Sequence, residues 1–512
     1  GGSRRGGGGR GGGKGKTLSD IVSRKGDQGA LAEGLKALQA LIDRGSKING
    51  RAFSMLMSIC SEQIRLGYAS LDDARRLMDE CTKCGVEHDT FLYNGLMSAC
   101  AKAASRGEAA LSDGSAVLQD MRNRGCEPDI ITFNSLMDIC AKAAGYKSEG
   151  GPMDGGSGVP ITTMTGYSVL QLISDEGLQP NVVTFATLMQ LCAKCAARGR
   201  ASVQDGLQVL DRARSAGVEP NLRVFNSLMD VVAKSASNGA ADTLDGLSVL
   251  KRVRNVGLAP DTTTYNSLLE VYAHCASRGK ATLSEALKIL RSMRADGVCR
   301  DAVTYNTLMD LLAKETHSRG SARVAEGVGL IAVMKADSVE PQLQTYSALI
   351  DVCAKAAEHG IGDLGDADDV LEKMKEEGIM DLDKIICNSY LNCAKADGSA
   401  AALNAAEKIL DIMPTEQRDS YTYSCIIGLL GKTGEVERAR AMFEEAQAAL
   451  PRLTSYVYNA AMSVELQQGC YDRVLDLWEE MKTRHINEDS VTLKHIEVAQ
   501  EAIGDNRFGA SL

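Results

Sequence analysis

An aromatic residue followed by a small or amide side chain recurs along this chain at a nearly constant interval. Phe53, Tyr93, Phe133, Phe185, Phe225, Tyr265, Tyr305, Tyr346, Tyr423 and Tyr458 form the series, and Cys387 fills its one gap. Successive steps are 40, 40, 52, 40, 40, 40, 41, 41, 36 and 35 residues. A period of that size marks one supersecondary unit copied in tandem, each copy burying its apolar face on its neighbours. For 512 residues this implies one kind of stacked unit in place of several unrelated cores.

The segment from Thr262 to Asp301 shows what the unit is. Tyr265, Leu268, Leu269 and Tyr272 lie at offsets of three, four and seven, the apolar stripe of an amphipathic helix. Ser277-Arg278-Gly279 breaks it, and Leu283, Ala286, Leu287, Leu290 and Met293 trace a second helix. Gly297, just beyond a last turn carrying Arg291 and Arg294, stops that helix. Neither stripe can be buried inside one pair of short helices, and stacking buries both. The expected fold is all-α: a right-handed α-solenoid of about eleven helix-turn-helix repeats over residues 50–489.

Half-repeats should cap the stack at 18–49 and 490–512. A glycine-rich stretch at 145–160 lengthens one unit as a loop between its helices, and residues 1–17 form a Gly/Arg-rich disordered tail. Most units carry about five residues more than the last two, expected in the turn between helices. Trp478 lies on a second helix and is expected in the core.

The net charge is -10 although the first 16 residues hold three Arg, two Lys and no acid. So acidic a body excludes non-specific polyanion binding, and a nucleic-acid role has to rest on a local basic track. Fifteen cysteines have no disulfide framework spacing, and Cys60, Cys100, Cys140, Cys192 and Cys353 each recur seven residues after their aromatics. That placement suits small buried residues in a reducing compartment. Cys81 with Cys84, and Cys192 with Cys195, fall at different phases of the repeat and complete no zinc site. No apolar run is long enough to span a membrane.

The segments Val303-Thr-Tyr-Asn-Thr-Leu-Met-Asp and Ile131-Thr-Phe-Asn-Ser-Leu-Met-Asp, with helices such as Glu285 to Gly297, resemble pentatricopeptide repeats over nearly all of 50–489. The resemblance implies binding of single-stranded RNA, one base per repeat. The base would be chosen by the residue after the aromatic together with the last residue of the unit. In the first six units the implied pairs are Ser54 with Asp89, Asn94 with Asp129, Asn134 with Asn181, Ala186 with Asn221, Asn226 with Asp261 and Asn266 with Asp301. Asn306 with Gln342, Ser347 with Asp383, Asn388 with Asp419, Ser424 with Thr454 and Asn459 with Asp489 complete the set. Read through the family's preferences, the target runs G, U, pyrimidine, open, U, U, open, G, U, open, U. Ile131, Val183, Val303 and Ile385, two residues before the aromatic or its stand-in, would sandwich bases; Arg51, Arg223, Thr263 and Gln344 take that place elsewhere. Lys102, Lys142, Lys194, Lys234, Lys314, Lys355 and Lys432 form a ladder that would follow the phosphates, with His274 in the same register.

Each of these residues also has a structural reading. The Asp or Asn closing a unit suits a helix N-cap. The lysines suit a solvated face, the aromatic rings interhelix packing, and the recurrent Asn an interhelix hydrogen bond. Gly431-Lys432-Thr433 lacks the upstream glycine of a phosphate loop, and no hydrolase, triad or deaminase signature is present. These features point to a binder with no cofactor and no metal, and not to an enzyme. Its implied setting is an organelle, chloroplast or mitochondrion, with RNA-processing or ribosomal proteins as further partners. A protein-binding scaffold and an accessory subunit of an organellar ribosome are the alternatives.

Overall fold

The computed structural model describes residues 18–44, 46, 48–145, 160–320, 324–379 and 382–509. The Gly/Arg-rich tail and nearly all of the glycine-rich insertion lie outside them. Among the described residues there are 25 α-helices, one 3-10 turn at Thr415–Gln417 and no strand. The fold is a helical-repeat solenoid, resolved into two compact units that meet in sequence at Ala259 and Pro260.

In the first unit, Leu18–Val22 and Ala30–Asp43 precede five helix pairs. Their first helices are Gly50–Leu66, Thr90–Ala104, Ile130–Gly145, Val182–Ala196 and Leu222–Ser237. Their second helices are Leu71–Lys83, Leu111–Asn123, Thr163–Asp175, Val203–Ser215 and Thr243–Asn255. The second unit holds six pairs. First helices Thr262–Ala276, Ala302–Arg319, Leu343–Glu358, Lys384–Asp397, Ser420–Lys432 and Ser455–Gln467 alternate with second helices Leu283–Ala295, Val324–Ala336, Leu364–Glu376, Ala400–Ile412, Val436–Ala449 and Tyr471–Thr483. Ser490–Gly509 follows them.

Within each unit, neighbouring first helices pack side by side into a continuous wall, and each second helix packs on its own first helix and on the next one. The series aromatics are fully buried in that wall, and Cys387 is buried in their place. Close approach is set by the fourth residue of the second helices, which is small in most repeats: Ala74, Gly114, Gly166, Gly206, Gly246, Ala286, Gly327, Ala367 and Ala439. A Cβ on Gly206 would stand 2.5 Å from the Leu228 Cδ1 of the next repeat. Gly217 ends its helix at φ 72°, letting the Val218 N–H reach back to the Ala213 carbonyl at 2.9 Å.

Two expectations need correction. The extra residues of the longer repeats are not all turn: their first helices run 15 to 18 residues against 13 in the last two repeats. Alanine-rich ends such as Ala99–Ala104 favour helix and carry it onward. The turns beyond are stitched between repeats: Asn238 Nδ2 donates to the Ala196 carbonyl at 2.7 Å and Ser318 Oγ to that of Ala276 at 2.7 Å. Trp478 is not core. The stripe of its helix is Val474, Leu477 and Met481, leaving the indole partly exposed with the Lys482 ammonium 3.1 Å above it.

Candidate nucleic-acid interface

One face of the first helices carries a stripe at a fixed register, most complete on Ile130–Gly145 and Ala302–Arg319. In Ile130–Gly145 the residues Ile131, Asn134, Asp138 and Lys142 follow at steps of three, four and four, which places them in one row. Apolar, amide, acid and cation thus succeed one another from the N-terminal turn onward.

The amide stands in a network joining consecutive repeats. Asp301 is the N-cap of Ala302–Arg319 and accepts the Thr304 backbone N–H at 2.9 Å. It also accepts from Asn266 Nδ2 of the preceding repeat at 3.1 Å. The Thr304 hydroxyl accepts the Asp301 N–H at 3.2 Å and donates to Asn266 Oδ1 at 2.7 Å. Asn94, Asp129 and Thr132 repeat this geometry with Nδ2–Oδ1 at 3.0 Å and hydroxyl–Oδ1 at 2.7 Å. So do Asn388, Asp419 and Thr422 at 3.3 and 2.7 Å, and Asn459, Asp489 and Thr492 at 3.0 and 2.8 Å.

Asn181 departs from this geometry. The expected partnership with Asn134 is the weakest of the measured ones, the Asn134 Nδ2 lying 3.5 Å from the Asn181 Oδ1, at the limit of a hydrogen bond. That oxygen is already engaged as the N-cap of Val182–Ala196, accepting the backbone N–H groups of Val183 at 3.0 Å and Thr184 at 3.1 Å. A neutral amide has a single acceptor oxygen where Asp has two, so Asn181 is first a helix cap and only loosely holds the amide before it. The firm contact to Asn134 comes from the Thr184 hydroxyl, at 2.6 Å from Oδ1. Asn306 receives the Thr345 hydroxyl at 2.8 Å, and its partner Gln342 makes no side-chain cap.

Other pairs are placed differently again. The Ser54 hydroxyl turns back to the Gly50 carbonyl at 3.1 Å and that of Ser424 to Tyr421 at 2.8 Å, while Ser347 is buried. Asp89, Asn221, Asp261 and Asp383 cap Leu92, Val224, Thr264 and Ile386 respectively. Asn226 is half-buried on Leu222–Ser237. The structural reading of the closing Asp therefore holds, one carboxylate capping a helix and accepting from the amide of the preceding repeat. Partial burial disfavours ionised Asp489, but hydrogen bonds from the Thr492 backbone, Ser455, Asn459 and the Thr492 hydroxyl outweigh it and bring the group to about 2. Asp301 lies below the usual carboxylate range because bonds from Thr304 and Asn266 outweigh its burial, and Asp419 because Thr422 and the Lys384 ammonium do the same.

The expected sandwich residues are solvent-facing: Ile131 is 57% and Ile385 60% exposed, with Val183 and Val303 close behind. Sequence reasoning missed three larger members of the row. Phe91 at 72%, Tyr456 at 62% and Tyr421 also stand two residues before their aromatics. The register alone would have found them.

The expected lysines hold the same register on their own first helices, and most of their charges are matched. Lys142, Lys234 and Lys314 pair with Asp138, Asp230 and Asp310 one turn earlier at 2.7, 3.7 and 2.7 Å. Lys102 reaches Glu62 at 3.4 Å, Lys355 reaches Glu358 at 3.3 Å, and His274 lies 3.5 Å from Glu270. Lys194 is exposed. Lys432 donates to the Lys395 carbonyl at 2.7 Å, and Lys395 itself, eight residues after Cys387, is a further cation of the row. Such partly exposed pairs are worth at most about 1 kcal/mol.

Behind the stripe, Tyr93, Tyr265 and Tyr458 donate to Asp120, Asp296 and Glu480 on their own repeat's outer helix or at its end. Burial, then the neighbouring carboxylate, pushes the Tyr458 phenol up to about 12. Burial likewise pushes the Cys60, Cys100, Cys140 and Cys192 thiols up to about 12, which makes them packing residues and not nucleophiles. Among the described residues no group of three or more His, Cys, Asp or Glu is placed to hold a metal ion. No described helix is long and apolar enough to cross a membrane.

Comparison with known proteins follows the same register. The pentatricopeptide repeat domain matches residues 76–143, 168–235, 236–274, 288–356 and 330–380. The PPR repeat family matches 260–314, and the PPR repeat matches 421–448 and 456–486. Among solved structures, the pentatricopeptide repeat protein PPR10 from maize is similar at 18% identity and a TM-score of 0.57, over 96% of this chain and 68% of that one. PPR10 in complex with an 18-nt psaJ RNA element aligns at 19% identity and a TM-score of 0.45, over 96% and 69%. Yeast Rmd9p in complex with a 16nt target RNA aligns at 12% identity and a TM-score of 0.37, over 96% and 94%. The maize likeness is one of fold. No curated protein matches the sequence.

Proposed function

Because the chain belongs to the pentatricopeptide repeat family, we propose that it captures single-stranded RNA one base per repeat, acting in organellar RNA processing, stabilisation or translation. The observation that carries this reading is the hydrogen-bonding state of the recurrent amide. Asn266 commits one Nδ2 hydrogen to Asp301 and one Oδ1 lone pair to Thr304. By valence, one N–H and one lone pair remain for an incoming group. A donor beside an acceptor complements the O4 and N3–H edge of uracil.

The exposed row of Phe91, Ile131, Val183, Val303, Ile385, Tyr421 and Tyr456 supports the same reading, because apolar and aromatic faces suit unstacked bases. The cations four residues beyond the acids suit the backbone. Action would be passive: an RNA held along the stripe is shielded from nucleases, or kept open for another factor. The acid-paired lysines favour a second reading, a scaffold for a protein segment or an accessory ribosomal subunit, in which no base is read.

Binding to a randomised single-stranded RNA pool at fixed salt separates these. The proposed function expects enrichment of a U-rich motif with G near its 5′ end. Retention of RNA without sequence enrichment would favour the ribosomal reading, and absence of binding the scaffold.

A further inference from the structure

The threonine of the amide network is part of a pattern that runs along the whole chain. Asn follows the aromatic, or Cys387 in its place, in seven repeats, at positions 94, 134, 226, 266, 306, 388 and 459. In all seven, the third residue of the next first helix is Thr: 132, 184, 264, 304, 345, 422 and 492. The other four repeats carry Ser54, Ala186, Ser347 and Ser424. There the equivalent residue is Leu92, Val224, Ile386 or Val457. The two positions lie 33 to 50 residues apart in sequence and change together without exception.

The physical reason is local. These Thr side chains are fully buried. A buried hydroxyl without a partner is costly, and beside the capping residue of its own helix, six of these hydroxyls meet the amide oxygen of the preceding repeat at 2.6 to 2.8 Å. The Thr304 hydroxyl accepts the Asp301 N–H, and of the two acceptors within reach of its single proton, Asn266 Oδ1 at 2.7 Å is nearer than Asp301 Oδ1 at 2.9 Å. With a donor on the oxygen and a carboxylate on the nitrogen, only one of the two amide orientations is satisfied; the flipped one sets Oδ1 against the Asp301 carboxylate. Where Ser stands, its hydroxyl turns to its own helix in repeats one and ten, and an aliphatic residue makes no demand.

We propose that the threonine at the third position of each following first helix is a positioning residue for base selection. It fixes the amide of the preceding repeat, so that an Asn letter requires Thr behind it and a Ser letter an aliphatic side chain. The letter is then a triplet of residues drawn from two repeats. This rests on the RNA-reading function proposed above, and its ligand is the hydrogen-bonding edge of one nucleobase.

The test uses the full chain and the same randomised RNA pool, with thermal melting recorded alongside. Thr304→Val should lower the preference at the single nucleotide facing Asn266 by about three- to tenfold, the worth of one hydrogen bond. Preferences elsewhere should stand, and Thr304→Ser should keep them all. A gain-of-function pair guards against misfolding. Ser347→Asn with Ile386→Thr should move its position from G to U, while Ser347→Asn alone should do so weakly. Unchanged preference in Thr304→Val, or a single substitution that reads as sharply as the double, would overturn the proposal. A uniform loss at every position would reduce the threonine to a stability role and overturn it equally. A wild-type chain with no preference anywhere would instead remove the RNA reading itself, and this proposal with it.

Discussion

Ser338 holds a left-handed backbone, φ 59°, at the place where Gly217, Gly257, Gly297 and Gly378 end their helices at φ 72°, 76°, 70° and 77°. A side chain in that region costs roughly 1–2 kcal/mol, partly offset because glycine loses more freedom on folding. Ser338→Gly should therefore raise stability by about 0.5–1 kcal/mol, read as a higher urea midpoint; an unchanged or lower midpoint would count against the strain. Single residues also show where sequence reading stopped. The capping role of Asp129, Asp261 and Asp301 was legible, because Asp ahead of an apolar stripe has a local physical meaning. The threonines were not, because their partner lies in another repeat and only coordinates reveal the bond. Nor was the loose hold of Asn181 on Asn134, which depends on how many cap bonds one oxygen already accepts. Phe91 and Tyr456 were hidden for a different reason: an exposed aromatic two residues before a buried one reads as more core.

At the scale of the helix, the small fourth residue of the outer helices sets how closely repeats can approach. Gly206→Leu should cost about 1–3 kcal/mol through overpacking against Leu228. Gly206→Ala should be near neutral, since a helix-propensity gain of about 1 kcal/mol offsets a small shift of the Leu228 terminus. Denaturant unfolding of the two variants checks this, and equal destabilisation would show that bulk is not the cause. Helix number, order and kind were readable from the apolar period, as was burial of the series rings. Where the first helices end was not readable. The alanine-rich ends carry no apolar stripe that distinguishes a last turn of helix from a loop, and the caps that stop them, such as Asn238 on Ala196, come from the next repeat.

For the whole molecule the decisive quantity is charge. Seven unpartnered ladder lysines, all meeting phosphates, would give a log–log salt slope of about -5. The carboxylates beside Lys102, Lys142, Lys234, Lys314 and Lys355 take up part of that response, so the measured slope should be shallower. Replacing Asp138, Asp230 and Asp310 by Asn should steepen it and tighten binding at low salt. A slope at -5 or beyond in the unaltered protein would mean that those pairs do not restrain the lysines. An acidic body with a compensated basic row would release poorly matched RNA readily, and that behaviour suits selection by base over selection by charge.

The residue that opens one helix is, on the proposed reading, also the residue that helps spell the base of the repeat before it. Natural drift in such a chain is held to a short vocabulary. Asp, Asn, Ser and Thr can cap a helix, and a replacement that cannot, as with Gln342, gives up the side-chain cap along with the letter. A lineage of such proteins could re-address itself to new transcripts quickly, but only within an alphabet that helix initiation had already chosen.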